Sequence, residues 1–367
     1  MPSAPWWGGI GLALAVSAAG GYAADFVGVS LLGFSKSPVS AIMMAIIIGM
    51  VIANTLRIPA SVQSGLRFCT STVLRVGIML LGIRLSLASA GVNALMALPF
   101  VLVAIAVGVG TVTVLGRRMG LSRELSGLIA VGTSICGCTA IVATAPLTEA
   151  NEAEVSYAVA CITVFGLVAM FTYPFLGHYL FGSEPALAGL FLGTSIHETA
   201  QVAGAGMMYQ AQYSAPQALD IATVTKLVRN LTMIAVIPLV GVLYGNEERT
   251  ANGGGKRWYA MIPWFIVGFA LMSAVRTVGE LGDGRAFGVL DGAQWDVLVG
   301  LLQVGAERFL LVAMAAVGLT SMLAGIRKIG MRPFALGLFA ALVVGGVSLL
   351  LIAVFGHAVV AGLEGWV

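Results

Sequence analysis

The feature that most constrains this chain is a succession of apolar runs of about twenty residues joined by short links. A helix rises about 1.5 Å per residue, so such a run matches the hydrocarbon core of a bilayer. Eleven spans are expected: Trp6 to Ala24, Pro38 to Asn54, Gly65 to Ile83, Val92 to Leu115, Leu125 to Pro146, Val155 to Leu176, Ala186 to Met208, Ala218 to Tyr244, Trp258 to Val275, Val297 to Leu323, and Pro333 to Val360. Hydrophobic residues make up 59% of the chain, charged residues 10%, and mean hydropathy is +0.99. Soluble domains carry about 25% charged residues. The expected class is an all-α polytopic membrane protein, with residues 1–367 forming a single membrane transporter domain. The longest hydrophilic link, Gly245 to Arg257, holds Asn252-Gly253-Gly254-Gly255 and reads as a flexible surface loop.

The net charge of +3 is spread among the links, which argues against a nucleic-acid partner and against a polybasic surface patch. The cysteines, Cys69, Cys136, Cys138 and Cys161, lie in apolar segments and read as small hydrophobes rather than a disulfide framework. Trp6 to Ala24 lacks a preceding basic region and reads as a retained first helix, not a cleaved signal. Lysine and arginine in the links give the orientation. Even-numbered links carry Arg57, Arg67, Arg117, Arg118, Arg123, Arg249, Lys256, Arg257, Arg327, Lys328 and Arg332. Odd links carry only Lys36, Arg84, Arg276 and Arg285. The positive-inside rule therefore predicts a cytoplasmic N-terminus and an outside, periplasmic C-terminus.

Two arginines break the apolar pattern in related surroundings. Val73-Leu74-Arg75-Val76-Gly77-Ile78-Met79 recurs as Leu227-Val228-Arg229-Asn230-Leu231-Thr232-Met233, in spans three and eight. A second match, at the same offset of five spans, joins Ala130-Val131-Gly132-Thr133-Ser134 to Ala316-Val317-Gly318-Leu319-Thr320-Ser321. An odd offset inverts the second copy, as in many secondary transporters. Residues 38–177 and 185–360 are thus expected to form two inverted five-helix repeats, with 1–37 an added N-terminal helix and link.

Span five reads Gly132-Thr133-Ser134-Ile135-Cys136-Gly137-Cys138-Thr139 at mid-membrane, where irregular backbone survives only if it lines a cavity or is buried in protein. It is expected to be a discontinuous helix; the bland alternative is close helix packing by small residues. Span seven carries Thr194, His197, Glu198 and Gln201, of which Thr194, His197 and Gln201 share one helix face. His197-Glu198 begins like a zinc-protease motif, but Gln201 stands where its second histidine would be. Span eight adds Lys226 to Arg229 and Asn230. Arg75, Lys226 and Arg229 against Glu198 leave a balance of +2, which favours an anion. Intramembrane charges mark function by default.

Six strings together resemble the YeiH-type family of bacterial inner-membrane proteins, proposed sulfate exporters. They are Gly-Thr-Ser-Ile-Cys-Gly from Gly132, Ala-Thr-Ala-Pro from Ala143, Gly-Thr-Ser-Ile-His-Glu from Gly193, Ala200-Gln201-Val202, Lys-Leu-Val-Arg from Lys226, and Ile262-Pro263-Trp264-Phe265. The resemblance runs from about Ser40 to Pro333; Cys138 and Thr139 depart from the small apolar residues that commonly follow Ile-Cys-Gly. The family is similar to the bile-acid-symporter and sodium/proton-antiporter superfamily. That likeness implies a core domain with two crossed broken helices, here spans five and ten, beside a panel domain.

The expected activity is secondary transport, in the export direction, of a small sulfur-containing anion of the sulfate or sulfite class. Thr133, Ser134, Cys136 and Gly137, facing Gly318, Thr320 and Ser321, are the expected oxyanion ligands, with charge from Arg75, Lys226 and Arg229. His197, Glu198 and Gln201 are the expected coupling or proton group. The runner-up is a monovalent cation/proton antiporter, which would want carboxylates at the crossing, and a passive channel is a further alternative. An enzyme lacks a nucleophile, base and metal set. No cofactor or metal is expected, and a homodimer is compatible with the sequence.

Overall fold

The computed structural model describes residues 4–31, 40–182, 184–244, 262–281, 285–287, 289–321 and 330–363. Lys36, the Gly245 to Arg257 link, Arg327 and Lys328 lie outside the described residues. The chain is almost wholly helical and multi-pass, and the described residues separate into two compact units.

The first unit comprises residues 1–90, 206–216 and 264–324. It holds α1 (Ala4–Asp25), α2 (Ala41–Thr55), α3 (Gln63–Phe68), a π-helical turn over Cys69–Val73, α4 (Leu74–Leu81), and two long helices from the other end of the chain. Its core includes Ala13, Ala45, Leu66, Cys69, Ala315 and Leu319. Small residues set the spacing. A Cβ on Gly49 would lie 2.8 Å from the Ala315 carbonyl oxygen, and one on Gly318 would lie 3.0 Å from Ile46 Cα, so these two glycines hold two backbones together.

The second unit comprises residues 91–205, 217–263 and 325–367. It contains most of α5 (Leu87–Arg118), then α6 (Arg123–Ser134), α7 (Cys138–Thr148), α8 (Glu152–Phe181), α9 (Pro185–Ser195) and the start of α10 (Thr199–Tyr213). It also contains nearly all of α11 (Pro216–Leu231), with α12 (Met233–Tyr244). Two more helices of the first unit are α13 (Trp264–Glu280) and α14 (Gly292–Thr320), and α15 (Met331–Leu363) completes the second.

Local signals place the starts. Asn151 and Glu154 form a reciprocal capping box at the head of α8, Asp291 and Gln294 do the same for α14, and Ser122 accepts from the Leu125 N–H at α6. Pro185 opens α9, where a missing N–H costs nothing. Pro146 does not close span five as its sequence suggests: α7 continues to Thr148 and ends on Glu149 in the left-handed region.

Among the described residues, six helical stretches are long and apolar enough to cross a bilayer, by length and composition: Trp6–Leu31, Gln63–Arg84, Leu87–Arg118, Glu152–Phe181, Gly292–Thr320 and Met331–Gly362. The remaining expected spans coincide with shorter or interrupted helices. Outward faces stay apolar, with Leu271, Leu301, Leu342 and Leu350 all more than 60% exposed, as a hydrocarbon solvent permits and water does not.

Span ten's helix, α14, ends at the expected string: Thr320 is its last residue and Ser321 its cap, as Ser134 and Ile135 are for α6, and residues 322–329 lie outside the described ones. Gly318 in addition has a packing role, since a side chain there would meet Ile46 of α2. The hydroxyls that follow it are used locally: Thr320 Oγ1 donates to Ala316 O at 2.9 Å and Ser321 Oγ to Val317 O at 2.7 Å.

Candidate functional site

Within the second unit, two helices are interrupted at the same four residues. Gly132-Thr133-Ser134-Ile135 ends α6, and Gly193-Thr194-Ser195-Ile196 ends α9, with the isoleucine the terminal cap in each case. Every residue from Leu125 to Ser134 and from Ala186 to Ser195 is buried, so both interruptions are enclosed in protein rather than exposed to lipid. Thr133 Oγ1 and Thr194 Oγ1 each donate to the carbonyl four residues back, at 2.7 Å in both copies. Such hydroxyls satisfy their own helix and leave the terminal carbonyls open.

A helix end leaves its last carbonyls without intrahelical donors. Here α11 supplies them. Arg229 and Lys226 are both 0% exposed. Arg229 donates from Nε to Ser134 O at 2.7 Å, from one terminal nitrogen to Thr194 O at 2.7 Å and Ile196 O at 3.0 Å, and from the other to Thr133 O. Lys226 Nζ donates to Ile135 O at 3.0 Å, to Ile196 O at 2.9 Å and to His197 O. Equivalent atoms of the two strings therefore converge on one cation: the threonine carbonyls on Arg229, the isoleucine carbonyls on Lys226. An ammonium has three donors, and all three are committed.

Past each interruption a new helix begins, and at these starts the polarity reverses. Gly137, at φ +71°, turns the chain into α7; a side chain there would meet backbone strain and would also overlap Glu198 Cγ. The Glu198 carboxylate reaches the first N–H of α7, accepting from Cys138 N at 3.3 Å. Glu198 is itself the cap of α10: its carbonyl accepts from Val202 N at 2.9 Å, and its own N–H donates to Gln201 Oε1 at 3.2 Å. Gln201 is held by donating to Thr163 O at 3.3 Å, in space left open by the absence of a side chain at Gly166. Asn230 Nδ2 donates to Thr199 Oγ1 at 3.1 Å at the head of α10. Cys136 Sγ lies 3.0 Å from Met233 Sδ.

The expected site residues thus divide. Thr133, Ser134, Cys136, Gly137, His197, Glu198, Gln201, Lys226 and Arg229 are brought together around the two interruptions. Thr133 and Ser134 present carbonyls to a cation there, not donors to an anion. Gly318, Thr320, Ser321 and Arg75 belong to the first unit. Arg75 sits on α4 with its guanidinium 6.0 Å from the centre of the Phe265 ring, a cation–π placement. Among the described residues no ion pair joins Glu198 to Lys226 or Arg229, whose donors go to backbone instead. Among the described residues, Ser134 Oγ, Asn230 Oδ1 and both ring nitrogens of His197 are buried with no hydrogen-bond partner. Asn230 and Met233 lie in the repeated segment around Arg229; Thr163 and Gly166 carried no signal.

Comparison with known proteins agrees with this picture of a multi-pass membrane protein. The family model described as Conserved hypothetical protein 698 matches residues 9–337. The chain is 33% identical over 356 residues to a UPF0324 membrane protein of Oceanobacillus iheyensis, covering 95% of each chain. It is 32% identical over 317 residues to the UPF0324 inner membrane protein YeiH of Salmonella typhimurium, covering 84% of each. A UPF0324 membrane protein of Pseudomonas aeruginosa is 32% identical over 324 residues, 84% of each chain. The two interruptions, the cations that hold them and these likenesses run through the same stretch of sequence, and the chain belongs to the Conserved hypothetical protein 698 family of YeiH-type UPF0324 membrane proteins.

Proposed function

We propose that the protein is a secondary transporter, not an enzyme, that exports a small sulfur-containing oxyanion of the sulfate or sulfite class across a bacterial inner membrane. The observation that carries this reading is the Glu198 carboxylate resting on the first N–H of α7. The position accepts an oxyanion that is tethered to the chain, so a free oxyanion has a chemically matched place there. Helix starts are anion sites because unsatisfied N–H groups and the dipole act together.

Charge supports the same conclusion. Each helix end carries about half an elementary charge, negative at a C-terminus and positive at an N-terminus. The ends of α6 and α9 then contribute about −1, Lys226 and Arg229 +2, and the starts of α7 and α10 about +1. The sum is about +2 with Glu198 neutral and about +1 with it ionised. A proton on Glu198 frees the α7 start and makes the surroundings more positive, so anion and proton arrive together. Two ligands linked through one group are reciprocally coupled.

In this reading the substrate ligands are the backbone donor at Cys138, where Gly137 leaves room, and those at the head of α10; the Gly137 N–H itself is taken by Gly132 O at 2.9 Å. Gln201 fixes the backbone of the coupling residue Glu198, His197 precedes it in the same interruption, and Lys226 and Arg229 act through the field they leave. The division into an added helix, 1–37, and repeats 38–177 and 185–360 is carried forward as a proposal of ancestry, tested by superposing spans two to six on seven to eleven. Within the site itself, the repeated string is Gly-Thr-Ser-Ile, at Gly132 and at Gly193.

Proteoliposomes loaded with labelled sulfate, sulfite or taurine, under imposed proton or sodium gradients, test the proposal. Saturable sulfate or sulfite flux driven by a pH gradient is expected. Sodium or potassium exchange for protons without anion flux would establish the cation/proton antiporter instead.

A further inference from the structure

We infer that Lys226 is a built-in cation: its ammonium fills a monovalent-cation position made by the carbonyls of Ile135, Ile196 and His197, so the second unit assembles without an inorganic cation. This goes beyond the anion reading and does not depend on it. Broken helices commonly coordinate sodium or a proton through unwound carbonyls and half-helix C-terminal ends, and those are the groups gathered here. Three carbonyl oxygens from two separate chain segments surround one Nζ. Two of them, Ile135 O and Ile196 O, are the same atom of the duplicated string, so the cage comes from the duplication and the cation from α11. Arg229 closes the neighbouring carbonyls of both strings, and together the two side chains leave none of Thr133, Ser134, Ile135, Thr194 or Ile196 without a donor. The position is wholly enclosed, Lys226 being 0% exposed.

The inference separates this fold from one that needs sodium to hold its interruptions together. Removing the ammonium while keeping the backbone leaves a cage of the right polarity and size for a small cation, with the volume of the lysine stem beside it. Methylammonium suits that space, since it restores both charge and part of the stem.

The test measures thermal unfolding of the purified full-length protein in detergent, with no substrate present, in sodium chloride, potassium chloride, methylammonium chloride and choline chloride at equal ionic strength. Wild type is expected to melt at one temperature in all four. Lys226→Ala is expected to melt lower in choline and to be raised in a saturable manner by methylammonium, following the mass action of a ligand that binds only the folded state. Lys226→Met, which fills the stem volume without charge, is expected to be lowered and not raised. Sodium-specific stabilisation of wild type would overturn the inference, as would a folded Lys226→Ala that is as stable as wild type or indifferent to every cation. If Lys226→Ala cannot be recovered even in methylammonium, the wild-type comparison decides alone. Because no transport is measured, failure here leaves the anion reading standing, and failure of anion flux leaves this inference standing.

Discussion

Arg229 holds more of the site than any other single side chain. It spans both interruptions with four hydrogen bonds to backbone carbonyls from a position with no exposure. Breaking a buried charged set by removing one partner costs about 3–5 kcal/mol, a large share of the about 5–15 kcal/mol that keeps a domain folded. Arg229→Ala is therefore expected to lose folded protein on detergent extraction, read by size-exclusion recovery and melting temperature, before any loss of anion affinity can be measured. Arg229→Lys should fall between, because an ammonium cannot reproduce the planar fork that reaches both strings. Glu198 behaves differently. It is half-buried and touches one N–H of α7 through its carboxylate, so Glu198→Gln keeps an acceptor there and removes only the proton. That variant should fold, bind anion and transport with a rate that no longer varies with pH across the range where wild type does. Flux against pH in both proteins checks it, and parallel profiles would move the proton to another group.

At the scale of elements, one string has two physical meanings. Gly-Thr-Ser closes α6 and Gly-Leu-Thr closes α14, yet the carbonyls of the first are held by Arg229 whereas Gly318 of the second sets a close approach to α2. Nothing local separates them, since glycine weakens a helix and also permits close packing. The deciding interactions are remote: Arg229 lies 95 residues from Ser134, and no periodicity reports a bond of that reach. The apolar runs were legible because bilayer thickness imposes their length, and Lys226 and Arg229 were legible because charge inside such a run is rare. The pairing of interruptions was partly legible too. Gly-Thr-Ser-Ile is identical at Gly132 and Gly193, a stronger match than the one to Gly318. The sense of the site was not legible, because a break exposes carbonyls on one side and N–H groups on the other, and only coordinates assign each residue to a side. For α14 the packing role makes its own prediction. Gly318→Leu or Gly49→Leu places a side chain where backbone atoms lie within 3.0 Å, and overpacking of this kind costs about 1–3 kcal/mol. Either should lower the melting temperature without changing the pH dependence of flux.

For the whole molecule, the proposed eleven crossings would place the termini on opposite sides of the membrane. The eleven to four distribution of lysine and arginine between the two sets of links predicts a cytoplasmic N-terminus. Reporter fusions that fluoresce only in the cytoplasm or hydrolyse phosphate esters only in the periplasm should give signal from the first kind at the N-terminus and from the second at the C-terminus. The same reporter active at both ends would show an even number of crossings. Substrate chemistry is separate from this: for the proposed transporter, orientation would set the face from which it loads, whatever the substrate.

The cations of α11 also set an order of events during synthesis. The carbonyl ends of α6 and α9 emerge from the ribosome well before Lys226 and Arg229, and until α11 arrives they have no donors in an apolar surrounding. For its part, α11 carries two side chains that each cost about 2.5–3.5 kcal/mol to insert at mid-bilayer, and it enters cheaply only where those carbonyls wait. Each partner is thus a poor membrane segment alone, and the nascent chain passes through a vulnerable interval that closes at one helix. Chains stopped after residue 215 should be degraded much faster than chains stopped after residue 244, and a pulse-chase comparison of the two lengths measures the difference directly. In a cell, quality control would then discriminate at α11, and a fault in this one helix would appear first as a short-lived protein rather than as a slow carrier.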